Sequence, residues 1–132
     1  MRKIPIFLAG IVLGTTILFS GLTVNASPQT NAHLTYNVTW GSGLTQNKCT
    51  GYTSSEDYNY PFAHVIVFEY NGTTLLGSAS HDPDSFEPAQ TSVNKLNVTK
   101  ARVVHYVTDS YGNWEGYVNF SYLKGNDSPN HI

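Results

Sequence analysis

The chain has 132 residues, with nine acidic and seven basic side chains, a net charge of −2 and one cysteine, Cys49. One cysteine excludes an intramolecular disulfide, and a chain of this length holds one domain with a modest core. The acidic balance argues against binding to DNA, teichoic acid or an anionic bilayer by bulk electrostatics, and against a cationic membrane-lysing peptide.

Residues 1–26 have the layout of a secretory signal peptide. Arg2 and Lys3 form a basic head, an almost wholly apolar run follows, and Val24-Asn25-Ala26 places small residues before a cleavage site. Removal of this segment from the 132 residues leaves 106, and loss of the two basic residues moves the net charge from −2 to −4. We therefore predict a secreted, extracellular protein whose mature chain does not insert into a membrane. An uncleaved anchor stays open as an alternative, because the apolar run is long enough to span.

The first part of the mature chain predicts two strands and a loop. Residues 27–32 are a polar lead-in, and from residue 33 onward apolar side chains recur at every second position, which is the period of a strand. The first strand is half-buried, with its apolar positions at Leu34, Tyr36, Val38 and Trp40. A weaker strand spans 47–54, and an acidic, aromatic loop spans 56–61.

The segment from Phe62 to Tyr70 is the strongest strand signal. Both of its faces are largely apolar, which predicts a central strand. Asn71-Gly72 follows, and this dipeptide between two apolar runs predicts a two-residue hairpin loop. With that loop, Phe68 pairs with Leu75 and Val67 with Leu76, on a return strand spanning 73–80.

The last part of the chain predicts three more strands. A loop at 81–88 is followed by a short strand at 90–96, a β-branched strand at 100–108 and an alternating strand from Trp114 to Tyr122. Residues 124–132 are polar, and we predict a flexible tail there.

Six or seven short strands with turn signals about every 8–12 residues predict an all-β fold. We expect a single antiparallel β-sandwich of immunoglobulin-like type over residues 33–123, with a small open barrel as the alternative.

The loop tyrosines are the candidate binding residues. Tyr52, Tyr58, Tyr60 and Tyr111 fall in or beside loops, where exposed aromatic rings stack on sugars or anchor protein interfaces. The partner we predict is a cell-surface component or a glycan, and not a nucleic acid.

No residue pattern indicates a cofactor, and we predict neither a catalytic residue nor a metal site. Asp82, Asp84 and Glu87 lie close together and could bind Ca²⁺ weakly, but their spacing matches no EF-hand. His64 and His105 lie on apolar strands, where we expect structural histidines.

Two short motifs resemble a family of enzymes. Cys49-Thr50-Gly51-Tyr52 resembles the nucleophile motif of the NlpC-type cell-wall cysteine peptidases, and His64-Val65-Ile66-Val67-Phe68 resembles the histidine strand of that family. The resemblance implies a wall hydrolase that uses Cys49 and His64. Only 15 residues separate the two, whereas the family places its cysteine on a long helix well upstream.

A second resemblance involves Trp40 and the segment 55–64, Ser-Glu-Asp-Tyr-Asn-Tyr-Pro-Phe-Ala-His. It is similar to the opening of the secreted β-sandwich bacteriocins of the lactococcin type, which target the wall precursor lipid II. Such proteins are short, signal-bearing and free of disulfides, and export without disulfides fits a Gram-positive bacterium.

We therefore predict a small, secreted, non-enzymatic bacterial protein that binds at or outside the cell surface and is bacteriocin-like. A carbohydrate or cell-wall binding module and a cysteine hydrolase remain the alternatives.

Overall fold

The protein is all-β in the part of the chain that the structure describes. The computed structural model describes residues 23–25, 29–31, 33–42, 47–123 and 128–131. Its strands are β1 (Thr23–Asn25), β2 (Gln29–Thr30), β3 (Leu34–Ser42), β4 (Asn47–Ser55), β5 (Phe62–Asn71), β6 (Thr74–His81), β7 (Ala89–Lys95), β8 (Lys100–Thr108), β9 (Trp114–Tyr122) and β10 (Ser128–His131). Among these residues no helix could cross a membrane.

The strands form two antiparallel sheets that pack on each other. The first sheet has the order β1-β3-β4-β7, with β2 also paired to β3, and the second has the order β10-β9-β8-β5-β6. Of the seven long strands, β3, β4 and β7 lie in the first sheet and β5, β6, β8 and β9 in the second. The chain therefore crosses to the second sheet after β4, returns for β7 and crosses again for β8. The predicted immunoglobulin-like β-sandwich is confirmed. β1, β2 and β10 are short additions at the sheet edges.

The core lies between the sheets and follows the period of two. β3 supplies its large side chains, Leu34, Tyr36, Val38 and Trp40, all at most 4 % exposed. In the second sheet, β5 and β8 supply small ones, namely Ala63, Val65, Val67, Ala101, Val103 and Val107, all fully buried.

Gly51 of β4 is a point of close approach between the sheets. A Cβ atom there would lie 2.7 Å from Val103 Cγ1 and 2.8 Å from Val65 Cγ2. Side chains in native proteins do not pack so closely, so this position requires a residue without a side chain.

The loop of the β5–β6 hairpin lies one residue later than Asn71-Gly72 predicts. Asn71 pairs with Thr74, so Gly72 and Thr73 form the two-residue loop. Gly72 has φ +60°, the left-handed conformation that glycine adopts without steric cost.

The register of this hairpin also differs from the prediction. Phe68 faces Ser78 and Val67 faces Ala79, so the predicted pairs with Leu75 and Leu76 are wrong. The shift occurs at a β-bulge opposite Glu69/Tyr70. Leu76 is the extra residue of this bulge, and it packs against the core.

The structure describes only short parts of the predicted signal peptide and of the predicted tail. Residues 1–22 and 26–28 lie outside the described residues, whereas Thr23–Asn25 pairs with β3 at Thr39 to Gly41. In the segment predicted as a flexible tail, Ser128–His131 pairs with β9. Residues 124–127 and 132 lie outside the description.

Candidate binding face

The outward side of the second sheet carries large aromatic and aliphatic side chains. Alternate residues of β5, β8 and β9 point away from the core, and we call the surface that they form the outer face. Its members are Phe62, His64, Ile66, Phe68, Tyr70, Lys100, Arg102, Val104, Tyr106, Thr108, Trp114, Gly116, Val118, Phe120 and Tyr122. All except Gly116 keep some exposure to solvent.

The strand register arranges these side chains in rows across the three strands. The rows are Phe62-Thr108-Trp114, His64-Tyr106-Gly116, Ile66-Val104-Val118, Phe68-Arg102-Phe120 and Tyr70-Lys100-Tyr122. Neighbouring strands lie about 4.8 Å apart, so the side chains within a row are neighbours on one surface.

Two cations lie over aromatic rings of the outer face. The Arg102 guanidinium carbon is 4.5 Å from the centroid of the Phe68 ring, and Lys100 Nζ is 5.7 Å from the centroid of Tyr70. Both distances lie within the range of cation–π attraction. None of the outward positions of β5, β8 and β9 is acidic, so the outer face is positive around Lys100 and Arg102, whereas Asp82 adds a negative charge only at the corner with His64.

His64 holds together one corner of the outer face. Its ring stacks on Tyr106, with the centroids 4.4 Å apart and the planes at 12°. Its Nδ1 lies 2.7 Å from Asp82 Oδ1, and its Nε2 lies 2.9 Å from Thr108 Oγ1. Burial, and secondarily the negative charge of Asp82, raises the pKa of the Tyr106 hydroxyl. The ring pair is therefore a fixed element of the surface.

Gly116 lies directly against the backbone of β8 at His105 and Tyr106. A Cβ atom at position 116 would lie 2.6 Å from Tyr106 Cβ and 2.4 Å from the backbone oxygen of His105. The absence of a side chain here lets β9 pack closely beside β8.

Exposed aromatic residues also gather where β5 begins and β8 ends. This aromatic end consists of Tyr58, Phe86, Tyr111 and Trp114, whose exposed fractions are 87 %, 44 %, 91 % and 53 %. The Tyr58 and Phe86 rings meet edge to face, 5.3 Å apart. Because Trp114 belongs to the row with Phe62, the aromatic end continues directly into the outer face.

Phe86 adopts a strained backbone conformation. Its φ is +63°, a value that costs free energy for a bulky residue. The Phe86 backbone N–H donates to the Pro61 carbonyl at 2.7 Å, which ties the β6–β7 loop to the β4–β5 loop. The fold thus holds an exposed aromatic ring in place at the cost of local strain.

Two aspartates fix the loops that carry Tyr58 and Tyr111. Asp57 Oδ1 accepts from the Asn59 backbone N–H at 2.8 Å, and its Oδ2 lies 2.9 Å from His33 Nδ1. The Asn59 amide, followed by His33, lowers the pKa of Asp57.

Asp109 has the same role in the β8–β9 turn. It accepts from the backbone N–H groups of Tyr111 and Asn113 and from the Asn113 side chain at 2.8–2.9 Å. The Asn113 side chain, followed by the amides of the turn, lowers the pKa of Asp109.

The structure brings only part of the predicted tyrosine set together. Tyr58 and Tyr111 are exposed at the aromatic end. Tyr60 is partly buried against the core, with its ring 4.9 Å from that of His33. Tyr52 lies in β4, on the outward side of the first sheet, and so faces away from the outer face.

Cys49 and His64 are not brought together. Cys49 is fully buried between the sheets, and its backbone N–H donates to Glu69 Oε1 at 2.9 Å. His64 lies on the outer face, on the other side of the second sheet. The two side chains therefore cannot form the dyad that a cysteine hydrolase requires.

The interior holds two ionisable groups with strongly shifted pKa values. Burial raises the pKa of Glu69 to about 7, although the backbone N–H groups of Cys49 and Lys95 and the Lys95 charge act against the shift. Burial lowers the pKa of His105 to about 3. His105 Nδ1 lies 2.9 Å from Thr53 Oγ1, and its ring packs on Tyr36.

Within the described ranges, no three His, Cys, Asp or Glu side chains converge as a metal site would require. In the acidic loop, Asp82 is engaged with His64, and the Glu87 backbone N–H donates to the Asp84 carbonyl.

Sequence reasoning missed the residues of the outer face. The available signal was β5, whose two faces are both apolar although only one can face the core of a two-sheet sandwich. No family model, no curated protein and no solved structure matches the chain.

Proposed function

We propose that this is a secreted, non-enzymatic protein that binds a glycan at the cell surface through the outer face. The observation that carries the proposal is the row arrangement of β5, β8 and β9, which presents aromatic rings outward. Glycan binding fits such a face because aromatic rings offer flat, rigid apolar surfaces to the C–H faces of sugars.

The two most exposed aromatic rings of the outer face mark the path that a glycan chain would follow. Trp114 and Tyr122 are 53 % and 39 % exposed and lie at opposite ends of β9. Eight steps along the strand at about 3.3 Å each separate them by roughly 26 Å, enough for several sugar units. Tyr58 and Tyr111 would extend this path beyond the end of the sheet.

The test measures retention of the purified protein on a panel of cell-wall and extracellular polysaccharides. We expect Trp114→Ala and Tyr122→Ala each to weaken retention about two- to tenfold, the value of one lost aromatic contact. Leu96→Ala is the matched control, because Leu96 is 51 % exposed but lies in the turn after β7 and is not one of the residues of the outer face.

Two results would contradict the proposal. One is that no polysaccharide retains the protein. The other is that Trp114→Ala and Tyr122→Ala bind like Leu96→Ala. Loss of retention in Tyr58→Ala and Tyr111→Ala alone would move the site to the loops and away from the outer face.

A further inference from the structure

We propose that the glycan bound by the outer face is anionic and carries carboxylates, as a polyuronate does, and that Arg102 and Lys100 bind these groups. This inference rests on the proposed function, and it specifies the chemical class of the ligand.

The charge distribution of the outer face is the first argument. The chain as a whole carries a net charge of −2, yet the outward positions of β5, β8 and β9 hold two cations and no acid. Of the acidic residues on these strands, Glu69 and Glu115 both occupy the opposite, inward set of positions. The fold thus separates charge, so that a locally positive surface lies on an acidic protein.

The second argument is that both cations are held in place but not neutralised. Arg102 lies over Phe68 and Lys100 over Tyr70. The ion pairs among the described residues involve His33 and His64, and none involves a lysine or an arginine. Arg102 Nε is buried and has no hydrogen-bond partner in the described part of the chain. Aromatic contacts therefore orient these charges, while no carboxylate of the described chain pairs with them.

The third argument is the distance between charge and ring. The Arg102 guanidinium and the Phe68 ring are 4.5 Å apart, so a ligand at this point meets a cation and an apolar surface together. A uronic acid combines a carboxylate and a sugar ring in one unit. A planar guanidinium binds a carboxylate through two parallel hydrogen bonds, and this geometry favours a uronate.

The spacing of the two cations fits a repeating polymer. Lys100 and Arg102 are two residues apart on one strand, which places their backbones about 7 Å apart on the same face. A polymer with a carboxylate on each unit can satisfy both cations at once, whereas a neutral glycan leaves both unpaired.

The experiment compares binding of the purified protein to polygalacturonate, to its methyl ester and to a glycerol phosphate polymer, by affinity electrophoresis at low and moderate salt. We expect the acid to bind at least about tenfold more tightly than the ester, because the ester forms no charge-assisted hydrogen bond. Added salt should weaken binding of the acid and leave the ester unchanged.

The variants separate the role of the cations from general electrostatics. Arg102→Gln and Lys100→Gln should each remove most of the difference between acid and ester. Lys48→Gln should keep it, because Lys48 is an exposed cation of β4 in the first sheet. Trp114→Ala should weaken binding of acid and ester alike.

Several outcomes overturn the inference while the proposed function stands. These are equal binding of acid and ester, preference for the phosphate polymer, or an equal effect of Arg102→Gln and Lys48→Gln, each with binding still sensitive to Trp114→Ala. Failure of every polymer and glycan to bind overturns both proposals. Self-association through the outer face, detected as a dimer lost in Arg102→Glu but not in Lys48→Glu, also overturns them.

Discussion

The interior of the sandwich and the outer face differ in a way that reverses the usual distribution of side chains. The inward positions of β5 and β8 hold mainly alanine and valine, with Glu69 and His105 among them. The outward positions of the same sheet hold Phe68, Tyr106 and Phe120. Small side chains line β5 and β8 where β4 packs closely on them at Gly51, whereas the large core side chains, a tryptophan, a tyrosine and a leucine, come from β3. Large rings outside therefore contribute little to the core and remain available for binding.

β9 shows the same contrast within a single strand. Its inward positions are Glu115, Tyr117, Asn119 and Ser121, and its outward positions are mostly apolar. Two of these inward groups have partners in the first sheet and its lead-in: Trp40 Nε1 donates to Ser121 Oγ at 2.8 Å, and Asn31 Nδ2 donates to the Tyr117 hydroxyl at 2.9 Å. Polar side chains can be buried here because each of these bonds replaces one to water.

The largest expected effect is the response of the interior to acid through His105. Its pKa is about 3 in the folded protein, and the reference value is 6.5, so between these values the unfolded chain binds the extra proton. His105 by itself lowers the free energy of unfolding by up to about 5 kcal/mol as pH decreases from 6.5 to 3, and above pH 4.5 the titration of Glu69 offsets this contribution. Urea unfolding below pH 4.5, where Glu69 is protonated in both the folded and the unfolded state, measures the slope that belongs to His105, and this slope should flatten in His105→Gln. An unchanged slope in that variant contradicts the assignment.

Substitution of the two tryptophans provides the most direct test of the contrast between the interior and the outer face. Trp40→Ala tests the interior. Trp40 is 2 % exposed and bonded to Ser121, so its truncation leaves a cavity and an unpaired hydroxyl. We expect a loss of about 3–5 kcal/mol in the free energy of unfolding. A loss below about 1 kcal/mol would show that the interior is not packed as described.

Glu69 should change the free energy of unfolding with pH in the direction opposite to His105. Its pKa is about 7 in the folded protein and 4.5 as the reference, so the folded state holds the proton over this range. Stability should therefore fall by about 3 kcal/mol as pH rises from 4.5 to 7, and remain lower above that.

Glu69→Gln keeps the shape of the side chain and cannot ionise, so it should remove this decline. Between pH 4.5 and 6.5 the two groups oppose each other, and the wild-type profile should be nearly flat there. In His105→Gln the free energy of unfolding should fall as pH rises through this range, and in Glu69→Gln it should rise. A Glu69→Gln profile that still declines toward pH 7 assigns the decline to another group.

The smallest expected effect belongs to the outer face. Trp114 is 53 % exposed, so Trp114→Ala should change the free energy of unfolding by less than about 1 kcal/mol. The variant should unfold at nearly the wild-type urea midpoint while its glycan retention decreases. A loss similar to that of Trp40→Ala would mean that the outer face is covered and serves as a second core.

Much of the fold could be predicted from the sequence because the signals are local. The alternation of apolar residues at Leu34, Tyr36, Val38 and Trp40 correctly indicated a strand with one buried side. Turn residues between the apolar runs marked the boundaries of the seven long strands. The hairpin register could not be predicted, because a bulge opposite Glu69/Tyr70 depends on how Leu76 packs against the core.

The candidate site was harder to predict, because its residues come from three strands that are distant in sequence. The loop tyrosines were visible, and Tyr58 and Tyr111 are indeed exposed. The sequence of one strand does not show that Arg102 lies between Phe68 and Phe120. It also does not show which side of β9 carries its apolar residues to the outer face. Alternation shows that a strand has two sides, but not which one is inside.

The sequence by itself determined that the chain forms antiparallel strands, that it has no intramolecular disulfide and that its net charge is negative, since these follow from periodicity and composition. Only the tertiary structure decided which apolar side of β5 is buried and that Lys100 and Arg102 lie over aromatic rings. The physical reason is that burial depends on the opposite sheet. With the large core side chains supplied by β3, and with β4 packed closely on the second sheet at Gly51, the second sheet turns its small and polar residues inward and leaves its aromatic residues facing solvent.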